Sequence, residues 1–404
     1  MSNNFPQWGG RILVIKNGKI IRENTVLDGY CIIVKGKQIE AVLPQSQIGR
    51  LPGYRVIDAD GAYVSAGFIE LHTHGIEGYD FMDNQADGLK KALRAYAKYG
   101  VTSVYPTTMS APVSELEAVL DGFSALYGFE YDGAEFMGVH LEGPYFNPKQ
   151  CGAQSADYLK SPDFQEYQYF VKKYPFIKRW DIAPELDGAN EMAQYLTKRG
   201  IKAGIAHTNA TATQILNAEK HGFTIATHLY SGMSGVTRIN GYRHGGAVEG
   251  CLIADSITVE LIGDGIHLPA ELVHLAYRVK GPEKIALVTD SMRGAGMPEN
   301  SECVLGNRHT GIKTVIQDGV AWLTDKSAFA GSIATYNQLI RNFVKLFKIP
   351  LPHVISMATT TPAKAMSLKN KGDLKKGFDA DIVIFDDDIR IHKTIVKGKT
   401  VYTS

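Results

Sequence analysis

The 404-residue sequence contains few cysteines and no long apolar run. Its four cysteines are too scattered to predict a disulfide framework or a thiolate metal cage, and no apolar stretch approaches the length that spans a bilayer. Charge is balanced as well, since the sequence contains 43 Lys and Arg residues and 42 Asp and Glu residues. This balance excludes a basic nucleic-acid-binding arm or an acidic tail. The first ten residues, MSNNFPQWGG, have neither a basic head nor an apolar stretch. We therefore expect no secretory signal and a cytoplasmic protein with reduced thiols that binds neither membranes nor nucleic acids.

Both ends of the chain have the pattern of antiparallel sheet. Short alternating runs lie between about Arg11 and Leu43, and Asn17-Gly18 and Gly36 separate them as hairpin turns do. The last thirty residues repeat this pattern in DADIVIFDDDIRIHKTIVKGKTVY. Because the termini of a domain often meet, we expect the two ends to combine into one small β unit that brackets the middle of the chain.

The middle of the chain, from about 67 to 368, alternates between apolar runs of strand length and stretches with helical periodicity. The strand candidates are VSAGFIELHTH, VTSVYPTT, EFMGVHLEG, IKRWDIAPE, IKAGIAHT, FTIATHLY, ITVELIGDGIH and KIALVTDS. After the first of them, one helix face carries Leu89, Ala92, Leu93, Tyr96 and Ala97, and after the seventh a face carries Leu272, Leu275, Ala276 and Val279. This alternation predicts an α/β fold, a (β/α)8 TIM-type barrel. An open doubly wound sheet is the alternative, but no Gly-rich phosphate fingerprint follows the first strand.

Six residues of metal-ligand type lie at or near the ends of these predicted strands: His72 and His74 at the first, Glu142 at the third, His207 at the fifth, His228 at the sixth and Asp290 at the eighth. In a barrel the carboxyl ends of all strands converge on one face, where the active sites of this fold lie. Residues i and i+2 of a strand point to the same side, so both histidines of the first strand can face the barrel axis. Imidazole and carboxylate suit divalent zinc or iron.

Each of these residues also has an ordinary structural explanation when it is taken alone. A His-x-His pair in a strand is often structural, a single histidine can be a hydrogen-bonded interior residue, a glutamate can cap a turn, and an aspartate is a common helix N-cap. The full set on five strand ends of one predicted face favours a metal site over these separate explanations.

Seven motifs resemble those of the amidohydrolase superfamily, and within it those of its amino-sugar-phosphate deacetylases. They are GFIELHTHG (67–75), HLEGPYFNP (140–148), AHTNAT (206–211), THLYSGM (227–233), GDGIH (263–267), LVTDSM (287–292) and GDLKKGFDADIVIFD (372–386). The resemblance covers nearly the whole chain. It implies a catalytic barrel over 67–368 and a small, discontinuous β-sandwich domain formed by 1–66 and 369–404.

The resemblance also implies a metal centre. Glu142 takes the place of the bridging carboxylated lysine of other amidohydrolases, and His207 and His228 complete one metal site with it. His72 and His74 match the pair that holds a second metal in some members. We therefore expect one or two divalent metal ions per subunit, zinc or iron, with manganese and cobalt also compatible with these ligands. Asp290 matches the general acid/base and is also expected to touch the first metal.

Substrate contacts follow from the resemblance position by position: Ala153, Gln154, Ser231, Gly232, Arg243, Asp264, His267, Phe329, Ala330 and Gly331. Arg243 matches the phosphate-binding arginine that often comes from the neighbouring subunit, which implies a homodimer. Three departures bear on the substrate. Ser231-Gly232 stands where Asn-Ala is usual, Arg243 precedes His-Gly-Gly instead of Glu-Pro-Gly, and Gln154 replaces a histidine.

A further pair of basic residues, Arg293 and Arg308, lies in the insertion from about 293 to 331. We expect a solvated loop there, with contact to an anion as the alternative.

The expected function is that of a metal-dependent amide hydrolase that removes acetate from N-acetylglucosamine 6-phosphate and leaves glucosamine 6-phosphate. Because of the three departures, a related amidohydrolase acting on N-acetylgalactosamine 6-phosphate or on a cyclic amide is an alternative. A non-catalytic barrel that serves as a binding module is an alternative of another class.

Overall fold

The computed structural model describes residues 12–48, 54–298 and 301–404. The expectation that the first ten residues carry no secretory signal, and the predicted start of the first strand at Arg11, lie outside the described residues. Within the described ranges, no helix combines the length and apolar character that crossing a membrane requires.

Strands dominate both ends of the chain, and helices alternate with strands between them. The strands before the barrel are β1 (Ile12–Lys16), β2 (Lys19–Arg22), β3 (Thr25–Leu27), β4 (Tyr30–Lys35), β5 (Gln38–Pro44), β6 (Arg55–Asp58) and β7 (Tyr63–Ala66). Those of the middle region are β8 (Phe68–Thr73), β9 (Gly75–Ile76), β10 (Tyr79–Asp80), β11 (Val101–Pro106), β12 (Glu135–Phe136), β13 (Val139–Glu142), β14 (Ile177–Ile182), β15 (Lys202–Ile205), β16 (Phe223–Ala226), β17 (Thr237–Ile239), β18 (Tyr242–His244), β19 (Thr258–Ile262), β20 (Ile285–Val288), β21 (Glu302–Leu305), β22 (Ile312–Gln317), β23 (Val320–Leu323) and β24 (Phe329–Ser332). The chain ends with β25 (Ile382–Phe385), β26 (Ile391–Val396) and β27 (Lys399–Thr403).

The α-helices are α1 (Ala86–Lys98), α2 (Val113–Ser124), α3 (Phe164–Lys173), α4 (Ala189–Thr197), α5 (Ala212–Lys220), α6 (Ala247–Ile253), α7 (Ala270–Lys280), α8 (Tyr336–Lys345), α9 (Leu351–Ala358) and α10 (Thr360–Ala365). Short 3-10 helices cover Gln45–Gln47, Phe81–Asp83, Pro148–Gln150, Ala156–Tyr158 and Pro282–Lys284.

The predicted TIM-type barrel is confirmed. The barrel strands, in chain order, are β8, β11, β13, β14, β15, β16, β19 and β20. The last six of these eight strands form one continuous parallel sheet. Strands β8 and β11 pair in parallel, and single bridges from Thr73 to Ser291 and from Thr107 to His140 join this pair to both edges of the larger sheet. Because the sheet closes on itself, the carboxyl ends of all eight strands form one rim, which an open sheet would not provide.

The first predicted strand is interrupted at Gly67, where the chain passes from β7 to β8. A Cβ atom at this position would lie only 2.1 Å from the Thr102 hydroxyl oxygen, so the close approach requires glycine. Strand β7 therefore pairs with β25, away from the barrel, while β8 enters the barrel.

The two chain ends form a pair of sheets, with strand orders β5-β4-β1-β6 and β27-β26-β25-β7-β2-β3. Between them lies an apolar core that includes Ile15, Ile32, Val64, Ile382 and Ile395. This arrangement agrees with the expected small β-sandwich. The boundaries 1–66, 67–368 and 369–404 stay a prediction. The sandwich contacts the barrel, for example through the hydrogen bond from the Thr394 hydroxyl to the Ala97 carbonyl oxygen.

The insertion after β20 is a four-stranded antiparallel sheet, β21-β22-β23-β24, so the expectation of a solvated loop was wrong. Arg293 is 5% exposed and donates to both carboxylate oxygens of Asp83 and to the carbonyl oxygens of Val304 and Gly306. Its guanidinium therefore connects the insertion to the barrel instead of facing a free anion. Arg308 is exposed and also contacts Asp83.

Helix α1 buries the predicted apolar face. On α7 the prediction is confirmed for Ala276 and was wrong for the other three positions, none of which is buried. Val273, Ala276 and Lys280 point inward on α7, and Leu275 and Val279 remain about half exposed. The reason is Lys280, whose ammonium group donates to the carbonyl oxygens of Cys251 (3.1 Å) and Ala254 (2.6 Å) at the end of α6. Those carbonyls have no partner within their own helix, so a charged donor replaces an apolar contact there.

Replacement of Lys280 by methionine tests this contact. Lys280→Met keeps most of the side-chain volume but leaves two carbonyl groups without their donor, so we expect the free energy of unfolding to fall by about 1–3 kcal/mol. The measurement is the midpoint of urea unfolding followed by circular dichroism. Arg278→Met, at an exposed position of the same helix, is the matched control and should leave the midpoint unchanged. An equal effect of both variants would contradict the assigned role of Lys280.

Candidate metal centre

The barrel brings all six predicted ligand-type residues to its carboxyl-terminal rim. His72 lies in β8 and His74 directly follows it, while Glu142 ends β13. His207 comes two residues after the end of β15, His228 two residues after β16, and Asp290 two residues after β20. All six side chains are nearly buried, the most exposed being Asp290 at 13%. Five separate strand ends thus supply one compact cluster.

The Glu142 carboxylate lies at the centre of this cluster. Its Oε1 atom is 3.2 Å from Nε2 of His207 and 3.1 Å from Nε2 of His228. Its Oε2 atom is 3.3 Å from Nε2 of His74. Asp290 closes the other side, with Oδ1 at 3.2 Å from Nε2 of His72 and 3.3 Å from Nε2 of His74.

The chemistry of these donor atoms fits a cation. The Nδ1 atom of His207 donates to the Gln150 carbonyl oxygen at 2.8 Å, so in the neutral ring Nε2 carries a lone pair. That lone pair faces the Glu142 carboxylate, which accepts hydrogen bonds only. Two acceptors 3.2 Å apart repel each other unless a proton or a metal ion lies between them.

The spacing of the donor atoms also fits one or two metal ions. Two groups of three share Glu142: His72, His74 and Glu142, and Glu142, His207 and His228. Ligand atoms on a tetrahedral ion with bonds of about 2.0–2.1 Å lie about 3.4 Å apart, and the distances here run from 3.1 to 3.7 Å.

The carboxylates and histidines of the cluster shift one another's pKa values. Burial by itself would raise the pKa of Glu142, but the surrounding histidines outweigh burial and hold this pKa well below its usual range. Burial would lower the pKa of His228, yet the Glu142 and Asp290 carboxylates raise it to about 9. The two carboxylates therefore attract protons onto neighbouring histidines, and a divalent cation at the same place would displace those protons.

Three of the six residues have a left-handed backbone conformation, with φ of 45° at His207, 32° at His228 and 46° at Asp290. Such a conformation costs a non-glycine residue about 1–3 kcal/mol and persists only where the surrounding structure enforces it. Each of the three follows its strand by two residues, where the chain turns sharply and keeps the side chain at the rim. This repeated strain indicates that the side-chain positions are under functional constraint.

Gln154 is fixed by hydrogen bonds at both ends of its amide. The side-chain oxygen accepts from the Ser110 backbone N–H at 2.8 Å, and Nε2 donates to Glu142 Oε2 at 2.7 Å. Because the oxygen is held by an N–H donor, the NH2 group must face the cluster, which leaves its second N–H available.

Glu185 is a residue of the rim that the sequence analysis did not assign. It follows β14, and its carboxylate accepts hydrogen bonds from Asn147 Nδ2 (2.9 Å), the Thr208 hydroxyl and the Asn209 backbone N–H (2.6 Å). Asn147 in turn donates its backbone N–H to the His207 carbonyl oxygen. Glu185 therefore holds the segment around His207 from outside the cluster. Its position at the end of the fourth strand, in WDIAPE, was the available signal.

A second unassigned group lies beneath the cluster, inside the barrel. Arg179 is fully buried and donates to Asp181, Glu260 and the Thr227 hydroxyl. Nε2 of His140 lies 2.8 Å from Asp181 Oδ2, and burial together with the Arg179 charge lowers the pKa of His140 to about 4. Residues two apart on a strand point to the same side of the sheet, so Arg179 and Asp181 both face the interior of the barrel.

A cleft opens above the cluster. Seven of the predicted substrate contacts line it: Ala153, Gln154, Ser231, Gly232, His267, Phe329 and Gly331. Met109, Leu305 and Ala328, which the sequence analysis did not single out, line it as well. Among the described residues, the lining contains no lysine or arginine.

The other three predicted contacts lie outside the cleft lining. Asp264 is buried behind His267 and accepts from its Nδ1 at 2.6 Å, so it orients that ring. Ala330 is fully buried. Arg243 lies on the exposed hairpin formed by β17 and β18. Among the residues that the structure describes, its guanidinium donates only to the Gly241 carbonyl oxygen, at 3.4 Å.

Comparison with known proteins defines the class. The model of the amidohydrolase family matches residues 63–401, which is most of the chain. The protein therefore belongs to the amidohydrolase family, and its rim cluster is made of residues able to hold a metal ion.

More specific similarities point to one kind of amidohydrolase. The chain is 34% identical over 391 residues to the N-acetylglucosamine-6-phosphate deacetylase of Lysinibacillus sphaericus, covering 94% of this chain and 97% of that protein. The crystal structure of N-acetylglucosamine-6-phosphate deacetylase from Pasteurella multocida superposes with a TM-score of 0.89 at 26% identity, covering 97% and 100% of the two chains. A mutant of the Mycobacterium smegmatis enzyme, in complex with N-acetyl-D-glucosamine-6-phosphate, gives a TM-score of 0.86 at 26% identity and covers 98% and 100%.

Removal of the Glu185 carboxylate tests its hold on His207. In Glu185→Ala, three donors lose their shared acceptor, so we expect the segment around His207 to loosen and bound metal to be lost about 10- to 100-fold more easily. The measurement is the metal content per subunit after dialysis against graded concentrations of chelator. Glu191→Ala, on the exposed surface of α4, is the control. Unchanged metal retention in Glu185→Ala would contradict this role.

Proposed function

We propose that the protein is a metal-dependent hydrolase that removes acetate from N-acetylglucosamine 6-phosphate and yields glucosamine 6-phosphate. The observation that carries this proposal is the convergence of Glu142, His207, His228 and Asp290 at the floor of one cleft. Membership in the amidohydrolase family and the similarity to N-acetylglucosamine-6-phosphate deacetylases support the choice of reaction and substrate.

The metal ligands in this proposal are those that share the Glu142 carboxylate. Glu142, His207 and His228 hold the first ion, with Asp290 in reach of it, and His72 and His74 join Glu142 at the second site. Zinc or iron suits this mixture of imidazole and carboxylate, and manganese and cobalt accept the same ligands. When bound, such an ion supplies Lewis acidity that lowers the pKa of water and polarises the amide carbonyl.

Asp290 is the proposed general acid and base. Its pKa is held below the usual range: burial opposes this shift, but the neighbouring His72 and His74 outweigh it. An ionised carboxylate can take a proton from the attacking water and deliver it to the amine, which must be protonated to leave. Both transfers occur at one place, so one carboxylate can serve both.

Gln154 is the proposed hydrogen-bond donor to the acetyl carbonyl. One N–H of its amide donates to Glu142, the second has no acceptor among the described residues, and the residue lines the cleft. A fixed amide donor stabilises the negative charge that develops on the carbonyl oxygen. Unlike histidine, it remains neutral across the working pH range.

The remaining cleft residues are the proposed sugar contacts. Asp264 fixes the His267 ring, which also packs against Phe329 with ring centroids 4.8 Å apart. Ala153, Ser231, Gly232 and Gly331 bring backbone groups and small side chains to the cleft wall. Ala330 supports this wall from the interior.

The described lining of the cleft contains no lysine or arginine to pair with the phosphate group. Arg243 is exposed and forms no salt bridge within the described chain. We therefore infer a homodimer in which Arg243 reaches the cleft of the neighbouring subunit.

A reducing, cytoplasmic environment suits the protein, because all four cysteines are unpaired.

Acetate release is the direct test of the proposed function. Purified protein loaded with zinc or iron should release acetate from N-acetylglucosamine 6-phosphate, measured by a coupled acetate assay. Unphosphorylated N-acetylglucosamine, N-acetylgalactosamine 6-phosphate and a cyclic amide serve as comparison substrates. Preference for the galacto epimer or for the cyclic amide would contradict the substrate and leave the reaction class intact. No turnover of any of them with either metal would favour a non-catalytic barrel.

Substitution of Asp290 tests the proton-transfer role. Asp290→Asn keeps the size of the side chain but removes the base, so kcat should fall by about 100- to 10,000-fold. Metal content should stay near normal, because Glu142, His207 and His228 remain. Asp255→Asn, at an exposed position, is the control. Normal turnover in Asp290→Asn, with metal bound, would rule out the assigned role.

A further inference from the structure

The hairpin of β17 and β18 presents two arginines side by side. Asn240 and Gly241 form its turn with φ of 50° and 88°, the conformation of a type I′ turn. The register pairs Thr237 with His244, Arg238 with Arg243, and Ile239 with Tyr242. Cross-strand partners share one face of a hairpin, so the guanidinium groups of Arg238 and Arg243 leave the same face.

The two arginines lack a counter-charge. Neither forms a salt bridge with an acidic residue in the described part of the chain, and all six strand residues of the hairpin are exposed. Like charges directly opposite each other destabilise a strand pair. An anion bound between them would remove this repulsion and could accept bidentate hydrogen bonds from both guanidinium groups.

The opposite face of the hairpin carries Ile239 and Tyr242 together with Thr237 and His244. Ile239 is 55% exposed and Tyr242 is 74% exposed. A two-stranded hairpin is marginally stable by itself, and the described residues of its own chain leave all six strand positions of this one exposed. Both faces therefore suit contact with a second molecule, one through charge and one through burial of apolar surface.

The candidate cleft has the complementary need. Its lining in the described chain has no lysine or arginine, whereas a phosphate monoester carries a charge of about −1.5 to −2 at neutral pH. The described residues of one copy thus line the cleft without a lysine or arginine that could pair with a phosphate group.

We propose that Arg238 acts together with Arg243 as a two-arginine clamp for the substrate's phosphate in the cleft of a second copy of this chain. The apolar face with Ile239 and Tyr242 packs against that second copy and orients the clamp. This inference rests on the proposed function and adds to it a second cation, because Arg238 lies directly opposite Arg243 in the hairpin.

Steady-state kinetics separate the clamp from a structural role of the hairpin. Arg238→Ala should raise KM for N-acetylglucosamine 6-phosphate about 10- to 100-fold, with little change in kcat and no change for unphosphorylated N-acetylglucosamine. Arg238→Lys should recover part of the loss, since it keeps the charge. Arg390→Ala, whose side chain is 72% exposed on the small domain, is the control. An unchanged KM in Arg238→Ala would overturn the proposal.

Mixed dimers test whether the clamp reaches the other subunit. Asp290→Asn subunits keep their arginines, and subunits with Arg238→Ala and Arg243→Ala keep Asp290. In a one-to-one mixture, half of the random dimers combine both kinds and each has one complete site, so about a quarter of the wild-type rate should return. No recovery above the two separate variants would show that the arginines serve their own cleft or none.

Binding of inorganic phosphate, measured by calorimetry, keeps failure of the clamp apart from failure of the proposed reaction. If the wild-type protein binds phosphate and Arg238→Ala binds it about 10-fold or more weakly, the clamp is supported even where no acetate is released. If acetate is released normally and phosphate binding does not depend on Arg238, the reaction stands and the clamp is wrong.

Discussion

The carboxylate of Glu142 is the point on which the architecture of the site depends. One oxygen lies within 3.2 Å of the His207 and His228 rings, and the other receives the Gln154 amide and approaches His74. Through this one group, loops from four barrel strands meet at a single position. The left-handed conformations of His207 and His228 are tolerated because the backbone must deliver both rings to that position.

Rigidity beneath the site comes from charge and not from apolar packing alone. Arg179, Asp181, Glu260 and Thr227 satisfy one another inside the barrel, where an unpaired charge would be costly. His140 connects this group to the floor of the site, since its ring lies 4.9 Å from that of His72. Above the floor, Glu185 holds the loops on either side of His207. The cluster is thus supported both from below and from its edge.

The side chains that line the cleft above this rigid floor are unevenly charged. Acids and histidines gather at its base, yet the described lining has no lysine or arginine. The exposed hairpin carries the opposite imbalance, since neither Arg238 nor Arg243 forms a salt bridge with an acid of the described ranges. Self-complementary surfaces of this kind are what a symmetric dimer requires, because each copy then supplies what the other lacks.

Local periodicity was sufficient to predict the eight barrel strands and the placement of His72, Glu142, His207, His228 and Asp290 at one rim, because strand polarity fixes where a carboxyl end lies. It failed where a long-range polar contact outweighs local pattern. Lys280 turns the apolar face of α7, Arg293 is drawn into the interior by Asp83, and Glu185 acts on residues distant in sequence. Two features of the site depend on distances between separate strands and loops. One is the pairing of each Glu142 oxygen with a particular histidine ring, and the other is the lack of an acidic partner for particular arginines among the described residues. Those distances exist only once the barrel has closed, so tertiary packing alone decides them.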